Sequence, residues 1–87
     1  MADHIENRVR SIVSRVVDVA PHNIRPESLI YLGEVEPDGL RRIARHIGAA
    51  YGIAFAPDSV ARWITVADVI EATERAIAAA RARRRAA

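Results

Sequence analysis

The residues able to do chemistry in this chain are few and scattered. Ser11, Ser14, Ser28 and Ser59 are the candidate nucleophiles, and none has a histidine and an acid at a spacing that would activate it. His4, His22 and His46 share no local pattern and read as surface histidines. Glu34, Glu36 and Asp38 form an acidic cluster suited to holding a cation or to acid–base work. No histidine stands at helical spacing from them to complete a metal site. Acids placed just before a helix also complement its positive end, and that is the role read here. The chain has no cysteine, which excludes disulfides, thiol catalysis and thiolate-bound zinc. The expectation is a protein that is not an enzyme, with no catalytic residue and no metal.

What remains is charge. The basic residues are all arginine, thirteen in 87 positions, and the net charge is +2. Arg81, Arg83, Arg84 and Arg85 crowd the last seven residues, and without them the chain is close to neutral. Arg41, Arg42 and Arg45 gather on one stretch, "LRRIARHIG". They suit an acidic surface of a partner protein. The terminal run reads as a helix end whose arginines favour the negative pole of the dipole, so nucleic acid is not the expected partner. No apolar run reaches the length of a membrane span and "MADHIENRVR" is not a signal peptide, so a cytoplasmic protein is expected.

Helices must position these groups. "DHIE" places Asp3 and Glu6 at capping-box spacing. Ile5, Val9, Ile12, Val13, Val16 and Val17 then form one apolar stripe that should end before Pro21. Residues 19 to 38 make a long connection with three prolines and Gly33. A loop of that length needs anchors, and Ile24, Leu29, Ile30 and Leu32 are the candidates. A second helix opens near Asp38 with the stripe Leu40, Ile43, Ile47 and Tyr51, and Gly52 stops it. "APDSVARW" gives a short third helix with Pro57 at its first position. "TVAD", Thr65 to Asp68, resembles an N-cap with an acid three residues on. The fourth helix carries Val69, Ile70, Thr73, Ile77 and Ala80, then frays. Trp63, just before it, reads as a packing residue, with a place in a ligand pocket as the lesser reading. Ile12, Val16, Leu32, Leu40, Ile43, Ile47, Ile70 and Ile77 are expected in one core. The fold class is all-α: a small four-helix bundle with a long first loop and a short third helix. Residues 1–80 form the domain and 81–87 a basic, Arg-rich C-terminal tail.

In order and spacing, these segments resemble an acyl carrier protein over about residues 5 to 77. "IENRVRSIVSRVV" is similar to that family's first helix. "LIYLGE" resembles its leucine-glycine turn, "YGIAFAPD" its link to the third helix, and "WITVADVIEATERAI" its fourth helix. The resemblance implies 4′-phosphopantetheine on a serine at the start of the second helix. This sequence departs there. Its nearest match is Asp38-Gly39-Leu40, with Gly39 at the serine position, and matching back from Tyr51 instead places Pro37 there. Neither residue has a hydroxyl, so neither can form the phosphodiester. The degenerate attachment region is thus Pro37, Asp38, Gly39 and Leu40, and no bound cofactor is expected. The family's second helix is typically acidic, whereas here it carries Arg41, Arg42 and Arg45.

The function expected is therefore that of a carrier-like domain without an attachment serine, working by non-covalent protein interaction. The resemblance implies fatty-acid, polyketide or other acyl metabolism, with a synthase or ligase as partner. Two alternatives stand beside it: a true carrier whose attachment residue is elsewhere, Ser28 or Ser59, and a basic helical module that binds nucleic acid.

Overall fold

The computed structural model describes residues 2–30 and 37–86. Among them are four α-helices: α1 (Ala2–Val17), α2 (Pro37–Tyr51), α3 (Pro57–Ala61) and α4 (Val66–Ala86). A 3-10 turn, Pro21–Asn23, lies in the first connection. The only strand-like pairing among the described residues is an isolated antiparallel bridge between Leu29 and Thr65. The molecule is a small all-α bundle. α1 packs on both α2 and α4, and α3 packs on α2.

Each helix ends for a local reason. At the end of α1, Asp18 takes the left-handed conformation, φ 58°, and the Val19 N–H donates back to the Ser14 carbonyl at 3.2 Å. The Ser14 hydroxyl donates to the Val19 carbonyl, so the reversal is held from both sides. The end of α2 repeats this geometry with Gly52 at φ 65° and the Ile53 N–H on the Gly48 carbonyl. α3 starts on Pro57, whose missing N–H costs nothing in a first turn.

The long first connection is fastened by the start of α4. The N–H groups of Val66 and Ala67 have no partner inside their own helix and donate to the carbonyls of Ser28 and Pro26, at 3.0 and 2.7 Å. The Ile30 N–H donates to the Ile64 carbonyl at 2.9 Å. One set of backbone bonds thus satisfies a helix N-terminus and orders a segment with no repeating structure of its own.

The core is Val9 and Val13 of α1, Ile24 and Ile30 of the connection, Ile43 and Ile47 of α2, Val60 of α3, then Trp63, Val66 and Val69. Ile12, Val16, Leu40 and Ile70, expected inside, are partly buried and pack against its edge. Leu29, expected as an anchor, is 45% exposed while Ile30 is buried. Neighbours on extended backbone point to opposite sides, so the bridge at Leu29 cannot bury both. Ile77, also expected in the core, is only half-buried. α4 has 21 residues against 16 and 15 in α1 and α2, so its last turns run past the helices that cover its first ones. The expected fraying after Ala80 does not occur, because α4 continues to Ala86. Alanine and arginine are both strong helix formers, which sustains the extension. Leu32, Gly33, Glu34 and Glu36 lie outside the described residues, as does the side chain of Asp3.

Candidate functional site

The first turn of α2 is Pro37-Asp38-Gly39-Leu40, the region where the carrier resemblance places its attachment residue. Gly39 is buried and Asp38 is exposed. Asp38 complements the positive helix end. Its Oδ1 lies 3.9 Å from Nη1 of Arg41, with both side chains more than three-quarters exposed. An ion pair so exposed contributes little and exchanges readily with solvent or with another carboxylate.

Arg41, Arg42 and Arg45 are all exposed. At 3.6 residues per turn they fall within an arc of about 100°. Ile43 and Ile47, both fully buried, occupy the opposite side and fix which face α2 turns outward. The arginine face is therefore a consequence of the core stripe. His46 is exposed on the same helix, and His4 and His22 are exposed elsewhere. Among the described residues no group of His, Cys, Asp or Glu is arranged to hold a metal ion.

Beside the arginine face lies a groove of about 880 Å³ between α2, α3 and the segment joining them. Leu40, Ala44, Gly48, Ile53, Phe55 and Val60 give it an apolar lining, and Arg41 and Arg45 also line it. This groove is not among the features expected from the sequence. Its available signal was the small residues Ala44 and Ala49, which leave space on α2 where large side chains would close it. Trp63, by contrast, is 3% exposed and meets Phe55 edge to face, the ring centroids 5.1 Å apart. It packs, and with Phe55 it braces the segment that leads into α3.

The start of α4 is closed by reciprocal hydrogen bonds between Thr65 and Asp68. Asp68 Oδ2 accepts from the N–H groups of Ile64 and Thr65, at 2.9 and 3.1 Å, and the Asp68 N–H donates to the Thr65 hydroxyl at 3.3 Å. This is the capping box read from "TVAD". The backbone bond from Thr65, then that from Ile64, holds the Asp68 carboxyl below its ordinary pKa of 3.8.

The remaining serines have local roles or none. Ser14 is buried and closes the end of α1. Ser28 accepts from the Arg25 N–H at 2.9 Å. Ser11 and Ser59 are exposed.

Fold and site together define a small all-α helical bundle whose second helix presents three arginines beside an apolar groove. In comparison with known proteins, no family model matches the chain, and no curated protein matches it in sequence.

Proposed function

We propose that this chain is a carrier-protein-like domain that works without a covalently bound prosthetic group, by docking the exposed face of α2 on a carboxylate-bearing partner. The observation that carries the reading is the first turn of α2. Where the resembling family places its serine, this chain has Pro37-Asp38-Gly39-Leu40, with no hydroxyl in the turn. The arginine face supports it, since Arg41, Arg42 and Arg45 are exposed together on the helix that the family uses for docking. The reversed sign of that face selects acidic surfaces and repels basic ones. A synthase or ligase of acyl metabolism is the partner class that the resemblance implies.

The test is a quantitative pull-down from the native host with wild type and with the variant Arg41→Glu/Arg42→Glu/Arg45→Glu. Partners should be recovered by wild type and lost by the variant, with an unchanged circular dichroism spectrum. Recovery of the same partners in the same amounts by both proteins makes the face a solvated surface and removes the docking reading.

A further inference from the structure

We infer that the groove between α2 and α3 receives a large apolar side chain from an acidic helical segment of the partner, with that segment's carboxylates pairing to Arg41 and Arg45. The inference rests on the docking reading above and names what docks. The lining supplies both halves of the complement. Leu40, Ile53, Phe55 and Val60 offer apolar surface, and Arg41 and Arg45 offer two cations four residues apart on one helix. The opposite edge, Pro57, Val60 and Ala61 of α3, carries no charge, and among the described residues no acid lines the groove. An occupant that is apolar toward α3 and anionic toward α2 complements this lining.

Spacing narrows the choice. Four residues of helix rise about 6 Å, so an occupant helix with Asp or Glu at i and i+4 presents carboxylates at the same interval as the two arginines. A large apolar residue in the same amphipathic stripe then points into the groove, as anchors do when a helix lies in an apolar cleft. The groove is open along one side, which suits an anchor on a larger body more than a small ligand needing enclosure on most of its surface. Asp38 already touches Arg41, but that exposed pair is weak enough for an incoming carboxylate to replace it.

The experiment selects peptides from a phage library of random helical sequences on the wild-type chain, then measures binding of the selected peptides to variants. Ala49→Trp and Ala61→Trp each fill the groove from an exposed position and leave every charge in place. Circular dichroism checks that both variants fold. The expected peptides combine Asp or Glu four residues apart with Leu, Phe or Trp in the same stripe. They should bind either Trp variant roughly tenfold or more weakly, the scale of losing one anchor side chain. If binding survives both Trp variants but is lost in Arg41→Glu/Arg45→Glu, docking on the arginine face stands and the groove inference falls. If neither change affects binding, both readings fall. Selected peptides without the acidic–apolar pattern overturn the inference. So does a chain that takes up dodecanoate in the groove but selects no peptide, or that fills the groove with a second copy of itself in sedimentation.

Discussion

Gly48 lies against the carbonyl of Ile53 so closely that a Cβ on it would stand 2.7 Å from that oxygen. The same carbonyl belongs to a residue whose N–H is bonded back to Gly48, so the backbone cannot swing aside without breaking the end of α2. Gly48→Ala should therefore destabilise the fold by about 1–3 kcal/mol, the usual cost of forcing extra atoms into a closed space. Gly52→Ala is a useful contrast. Nothing lies within 4 Å of a Cβ there, so its penalty comes from the positive φ alone, about 1–2 kcal/mol. Thermal unfolding of both variants checks this, and an unchanged midpoint for Gly48→Ala would contradict the close approach.

The capping box of α4 gives a pH-dependent prediction. Backbone N–H groups hold the Asp68 carboxyl below 3.8, so the folded state favours its charged form. That contribution is present in full above the unfolded pKa and fades as pH falls through the lower, folded value. Asp68→Ala should be less stable than wild type at neutral pH, and the gap should close in strong acid. Asp68 is partly exposed to solvent, which screens the effect, so the gap will be modest. Thr65→Ala removes the other half of the box and should cost about 1 kcal/mol. Denaturant melts at neutral and acid pH measure both, and a gap that widens in acid would contradict the assigned cause.

Core truncations should follow burial. Ile47 is fully buried, and Ile47→Ala should cost about 2–5 kcal/mol. Ile64 is 49% exposed, and Ile64→Ala should fall within about 0.5 kcal/mol of wild type. Equal effects of the two substitutions on the urea midpoint would mean that α2 is not packed as described.

Much of this architecture was legible before the structure. The stripe from Ile5 to Val17 gave α1, and Leu40, Ile43, Ile47 and Tyr51 gave α2, because helical periodicity is a local property of the chain. Gly52, Pro57 and Thr65–Asp68 marked their boundaries because each solves a backbone problem within a few residues. The errors fell where long-range geometry decides. Leu29 and Ile30 are equally apolar, and only the bridge to Thr65 chooses which faces inward. Ile77 continues the stripe of α4, but the length of α4 against its neighbours leaves it at the margin. The arginine face was readable as the complement of an apolar stripe. The groove was not, because a concavity depends on where two helices meet.

A covalent carrier needs a hydroxyl that a phosphopantetheinyl transferase can reach, and the first turn of α2 offers none. Gly39→Ser tests whether the hydroxyl is the only lack. Gly39 is buried in the structure, and the helix after it is basic where the transferase's usual carriers are acidic, so Gly39→Ser should remain poorly modified. Efficient modification of Gly39→Ser would show that the surrounding face still fits the transferase.

The most direct measurement is the intact mass of the wild-type protein after incubation with a promiscuous phosphopantetheinyl transferase and coenzyme A. The account predicts an unchanged mass, under conditions that convert a conventional carrier completely. A gain of one phosphopantetheinyl group, traced by fragmentation to Ser28, Ser59 or any other residue, would show that the domain is a covalent carrier and contradict the account at its centre.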